Sequence, residues 1–135
     1  MHPTYLDKEW IITEKIYNPK DWIPERFDVV IVSDTQEKLT KRIIGLEGDK
    51  ISIKTGKIFL NGKKLEDPFG KGDIIYYVED EKERLKKPKK EWLFFNTNTQ
   101  EEEVPKGFIW VIGDNREISW YGLVKIEDIK SLVIL

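Results

Sequence analysis

Leu39-Thr40-Lys41-Arg42-Ile43-Ile44-Gly45 has the make-up of a strand with one residue out of place. Alternate side chains of a strand share a face. Leu39, Lys41 and Ile43 therefore form one stripe, with an ammonium where an apolar group is expected. Desolvation disfavours charged lysine and lowers its pKa. Bringing it from about 10.4 to near 7 costs roughly 4–5 kcal/mol, a large part of a domain stability of about 5–15 kcal/mol. A fold that accepts this cost would use the amine as a general base near neutral pH. In the plainer arrangement the stem lies along the apolar face and the head snorkels to water. On periodicity alone, that second arrangement is the default.

Outward from this stretch, short apolar runs alternate with turn residues, the pattern of a mainly β chain. Phe27-Asp28-Val29-Val30-Ile31-Val32 predicts a buried strand. The polar residues 33–38 predict a turn that pairs residues 29–32 with 39–44 in antiparallel fashion. Trp10-Ile11-Ile12-Thr13 predicts a first strand, and residues 18–24, with two prolines, a loop. Lys50-Ile51-Ser52-Ile53 alternates, Thr55-Gly56 turns the chain into residues 57–61, and Asn61-Gly62 carries a hairpin signature. Ile74-Ile75-Tyr76-Tyr77-Val78 and Trp92-Leu93-Phe94-Phe95 are apolar enough for strands, as are residues 108–112 and 129–135. Residues 79–91 carry both charge signs densely, which fits a solvated loop or short exposed helix, or else a partner-binding arm.

The length of 135 residues suits one domain with one core. A net charge of -2 with 36% charged residues argues against a dedicated nucleic-acid binder. The chain contains no cysteine, which excludes disulfides and thiolate metal sites, and its one histidine is His2. No metal or other cofactor motif is present. No apolar run approaches the roughly 20 residues that span a bilayer, so a membrane tether would lie outside this sequence.

Lys41-Arg42-Ile43-Ile44-Gly45-Leu46-Glu47-Gly48-Asp49 resembles the lysine-containing box of the type I signal peptidases. Val104-Pro105-Lys106-Gly107 followed by Gly113-Asp114-Asn115-Arg116-Glu117-Ile118-Ser119 is similar to their C-terminal box. Lys57-Ile58-Phe59-Leu60-Asn61-Gly62-Lys63 resembles the hairpin between these boxes, and Met1-His2-Pro3-Thr4 the Met-x-Pro-Thr that follows the nucleophilic serine. The four matches keep the family's order and cover nearly the whole chain.

The resemblance implies a core of antiparallel strands (residues 1–54 and 106–135) with a reduced inserted β subdomain (residues 55–105). It also implies peptide hydrolysis by a serine/lysine dyad. A serine hydroxyl is a weak nucleophile until a base takes its proton, and Lys41 would be that base, oriented by Ser119. Arg42 would pair with Asp114 on the opposite face, with Gly113, Asn115 and Arg116 shaping the site. Gly113 would permit close backbone approach or an unusual dihedral angle. Met1, His2, Pro3, Leu39 and Thr40 would line the groove for an extended peptide. The implied substrate is the signal peptide of a secreted preprotein. The implied place is the extracytoplasmic side of the cell membrane, through an anchor.

Two departures qualify these expectations. The pattern puts the nucleophilic serine immediately before Met1, outside this sequence, so the polypeptide as written is expected to be inactive. The alternative is a non-catalytic relative that binds preproteins or assists surface-polymer assembly. The C-terminal box is also about four positions short, running Ser119-Trp120-Tyr121-Gly122 where the family has further bracing residues.

Overall fold

A computed structural model describes residues 12–15, 22–33, 38–74, 99–117, 119, 121–129 and 131–134. Within them the chain forms ten strands and one short 3-10 helix. The strands are β1 (Ile12–Lys15), β2 (Val29–Ser33), β3 (Lys38–Gly45), β4 (Lys50–Lys54) and β5 (Lys57–Leu60), followed by β6 (Lys63–Lys64), β7 (Glu102–Glu103), β8 (Phe108–Ile112), β9 (Tyr121–Lys125) and β10 (Ser131–Ile134). They build two antiparallel sheets, a six-stranded one ordered β1-β10-β2-β3-β8-β9 and a four-stranded one ordered β6-β5-β4-β7.

The stripe expected on β3 is present. Val30 lies opposite Lys41, and Val32 opposite Leu39. Directly opposed residues share a face, so Lys41 lies on the side of the sheet whose core holds Val30, Val32, Ile43, Ile109, Val111 and Ile129. The other face packs Ile44, Trp110 and Ile112 against Ile51, Ile53 and Ile58 of the second sheet. β8 thus sends alternate residues into two cores, which is why β2 and β8 read as continuous apolar runs.

Register slips between Ile43 and Gly45, where Ile43 faces Val111 and Gly45 faces Trp110. The extra residue is Ile44, a bulge that bends the strand. Gly45 is required there. A Cβ on it would lie 2.9 Å from the Cβ of Trp110 and 3.0 Å from Ile51.

Some expected boundaries move. The predicted strand at residues 27–32 begins only at Val29, because Phe27 takes φ +74° and closes a turn. β4 pairs with β5 and β7 in the second sheet. Within the predicted strand at 129–135 the described residues form β10, with Ile129 outside it and a 3-10 turn at Ile126–Asp128 before it. Ile74 is buried outside any strand. Residues 75–78, 79–91 and 92–95 lie outside the described residues. Unanticipated was β9, which pairs with all of β8 from Phe108↔Lys125 to Ile112↔Tyr121. Both hairpin turns have the chemistry expected. Thr55-Gly56 and Asn61-Gly62 have positive φ throughout, as the turn type that matches strand twist requires.

Candidate active site

Lys41 is 6% exposed and Ser119 7%. The ammonium Nζ donates to Ser119 Oγ at 2.8 Å, and the Gly113 N–H donates to the same oxygen at 2.6 Å. The amine therefore does not snorkel into solvent; the plainer arrangement is overturned. Burial lowers its pKa from 10.5 to about 8, because the charged form loses hydration that the apolar face does not replace. At that value roughly a tenth of the molecules hold a neutral amine at pH 7.

Gly113 is explained by space. A Cβ there would lie 2.7 Å from Ser119 Oγ and 3.5 Å from Lys41 Nζ. Of the two reasons offered for this glycine, close approach is the one that applies. The shortened box still brings Ser119 to Lys41, across 78 positions of sequence. Ahead of it the chain turns at Arg116-Glu117, and the Ser119 N–H donates to the Asn115 carbonyl.

On the opposite face Arg42 grips Asp114 with two hydrogen bonds, Nε to Oδ1 and Nη2 to Oδ2, both 2.9 Å. Asp114 is fully buried and Arg42 nearly so. A bidentate pair supplies direction as well as charge neutralisation. The remaining Nη1 donates to the Phe27 carbonyl at 2.9 Å, and the Phe69 ring lies 3.7 Å from the guanidinium carbon. Phe27 also donates its N–H to the Ile43 carbonyl. Its left-handed φ lets one residue serve both neighbours on β3.

Arg116 is buried, and its Nε donates to the Gly113 carbonyl at 2.9 Å. Asn115 is half-buried and forms a parallel bridge with Lys71. Leu39 and Thr40 are half-buried on β3 beside Lys41. Met1, His2 and Pro3 lie outside the described residues.

Three further residues take part, none of them given a role from the sequence. Asp67 pairs with Arg116 through Nη2. Phe69 stacks on Arg42. Asp49, the last residue of the lysine box, accepts from the Leu46 N–H and Arg26 Nη1, each at 2.8 Å, and from Asn61 at 3.0 Å. Its burial pushes the carboxyl pKa up, but the hydrogen bonds from Asn61, Leu46 and Arg26 and the charge of Arg26 outweigh this, and the net shift is downward. The turn-forming Asp67-Pro68-Phe69-Gly70 was the one available signal, and it says nothing about a partner 49 positions away.

Residues 1–132 match the family described as "Signal peptidase, peptidase S26". The chain belongs to that family. Among curated signal peptidases it is 36% identical to signal peptidase I of Bacillus caldolyticus over 114 residues, 80% of this chain and 58% of that one. It is 33% identical to signal peptidase I U of Bacillus subtilis over 120 residues, 86% of this chain and 56% of that one. The chain thus spans somewhat over half the length of these two relatives. Among solved structures, a signal peptidase I from Enterococcus faecalis superposes with a TM-score of 0.53 at 22% identity, over 84% of this chain and 98% of that one. The mainly antiparallel β architecture is the signal peptidase I fold. The peptidase S26 family is, by its description, a family of hydrolases. Among the described residues, no helix is long and apolar enough to cross a membrane.

Proposed function

We propose that this chain is the catalytic body of a type I signal peptidase, in which Lys41 is the general base for a serine joined directly ahead of Met1 in the longer protein. The observation that carries the proposal is the buried Lys41 amine held by Ser119, with its pKa brought to about 8. Neutral Nζ takes the proton of the serine hydroxyl as Oγ adds to the scissile carbonyl. The resulting ammonium returns that proton to the leaving amine, the C–N bond breaks, and an acyl-ester remains. Nζ then deprotonates water for hydrolysis of the ester.

Ser119 is a positioning residue in this scheme. Its Oγ accepts from both Gly113 and Lys41 inside the protein, which leaves it poorly placed for attack on a peptide. Arg42 and Asp114 fasten the two boxes together on the far face. Leu39 and Thr40, with Met1, His2 and Pro3, are assigned to the substrate groove. Support comes from β3. Leu39 and Thr40 lie half-buried beside Lys41 on this strand, and alternate side chains of an extended peptide bound along a strand enter pockets of this kind. The substrates are then the signal peptides of secreted preproteins, cut at the extracytoplasmic membrane surface to which an anchor in the longer protein would hold the domain.

The test is preprotein cleavage by a chain extended with the serine and a membrane segment. Lys41→Ala should abolish cleavage and Ser119→Ala should lower kcat. Undiminished turnover by Lys41→Ala removes the proposed base. Preprotein binding without cleavage by the extended parent would favour the non-catalytic alternative.

A further inference from the structure

We infer that Asp67, together with Arg116, is a positioning residue for the Lys41 base: a buried brace that reaches the catalytic turn from the segment following β6. The catalytic consequence rests on the peptidase proposal; the brace itself rests on geometry.

Arg116 and Asp67 form an ion pair in which the two side chains are 6% and 9% exposed. The Asp67 carboxylate is itself held. Oδ1 accepts from the N–H of Phe69 at 2.9 Å and of Gly70 at 3.2 Å, and Oδ2 takes the guanidinium. Gly70 seats directly on that guanidinium, where any Cβ would lie 2.5 Å from Arg116 Cζ. Two backbone bonds sew the segment to the catalytic turn: the Lys71 N–H donates to the Asp114 carbonyl at 2.9 Å, and the Arg116 N–H to the Lys71 carbonyl at 3.0 Å.

From Arg116 the connection runs inward. Nε donates to the Gly113 carbonyl, the Gly113 N–H donates to Ser119 Oγ, and Lys41 Nζ donates to that same Oγ. Gly113 is thus held at its carbonyl by Arg116 and at its N–H by Ser119. Hydrogen bonds to a charged donor are the stronger kind, and Arg116 keeps its head at Gly113 only while a partner neutralises it in this buried place. A cavity of about 160 Å³, lined by Asp67, Arg116, Gly70, Leu65 and Ile58 among others, lies beside the pair. It gives the guanidinium room to swing away once the carboxylate is lost, which lets the turn shift without the domain unfolding.

The experiment uses Asp67→Asn and Arg116→Lys, each first shown to be folded by near-ultraviolet circular dichroism at the assay temperature. In residues 1–135, hydrogen exchange is measured at the Gly113 amide with the β8 amides of Ile109 and Val111 as internal reference. The brace predicts protection of Gly113 falling on the order of tenfold or more while β8 is unchanged, the mark of local rather than global opening. In the serine-bearing, anchored chain, kcat should fall on the order of ten- to a hundredfold, as displacement of a catalytic group does, with KM held. Unchanged Gly113 protection in both folded variants, or a loss shared equally by β8, overturns the inference. Should Lys41→Ala leave cleavage intact, the peptidase proposal fails while the exchange result still decides the brace.

Discussion

Lys41→Met should make the domain more stable in neutral solution and lose that advantage in alkali. The fold lowers the amine pKa from 10.5 to about 8, and at about 1.4 kcal/mol per pKa unit this is about 3 kcal/mol of penalty on the ammonium form. Below pH 8 both folded and unfolded chains carry the proton and the full penalty is felt. Between pH 8 and 10.5 the unfolded chain binds more protons than the folded one, so stability rises with pH, and by pH 10 less than about 1 kcal/mol of the penalty remains. Methionine keeps an unbranched apolar stem and drops the charge. It also forfeits the hydrogen bond to Ser119, worth about 1 kcal/mol, although Ser119 Oγ retains the Gly113 N–H. The variant should therefore be about 2 kcal/mol more stable at pH 6 and about equal to wild type at pH 10. Urea unfolding followed by tryptophan fluorescence at both pH values measures the difference, and the other titrating groups cancel between the two proteins. A stability difference that stays the same at both pH values, or a wild type more stable than the variant at pH 6, would refute the idea of a dry amine.

Gly113→Ala should destabilise the fold by about 1–3 kcal/mol, since the added methyl falls 2.7 Å from Ser119 Oγ; chemical denaturation reads this out. Arg42→Ala should cost about 3–5 kcal/mol by stranding the buried Asp114 carboxylate, and the double variant Arg42→Met/Asp114→Leu should recover most of that loss in the same assay. Asp49→Ala should cost about 2 kcal/mol at pH 7 through its lost hydrogen bonds. Because the folded pKa of Asp49 lies below 3.8, its contribution is present above the unfolded value and vanishes as pH falls through the folded one. The gap between variant and wild type should therefore close in acid.

Local pattern was enough for the elements whose partners lie close in sequence. The apolar run of β2 and the Thr55-Gly56 and Asn61-Gly62 hairpins follow from neighbouring residues, and Phe108–Ile112 was bounded correctly as β8. β9 escaped because Tyr121-Gly122-Leu123-Val124-Lys125 offers one glycine and mixed burial in place of alternation; it is a strand because β8 presents a full edge to it. Phe27 escaped for a related reason. Its left-handed backbone is imposed by the demands of Arg42 and Ile43 on its carbonyl and N–H, and a phenylalanine gives no hint of positive φ. At the site, Lys41–Ser119 and Arg42–Asp114 join residues 78 and 72 positions apart. No local period encodes such distances, and the pairs were foreseen through the resemblance of two boxes. Asp67 belongs to neither box, so its bond to Arg116 became visible only in three dimensions.

The most direct measurement is the titration of Lys41 Nζ itself, followed through the 13Cε shift of selectively labelled lysine and assigned with Lys41→Met. A midpoint near 8 is the result expected of an amine buried against Val30 and Ile43 and held by Ser119. A midpoint at the ordinary 10.5 of a hydrated lysine would contradict it, and with it the proposed base.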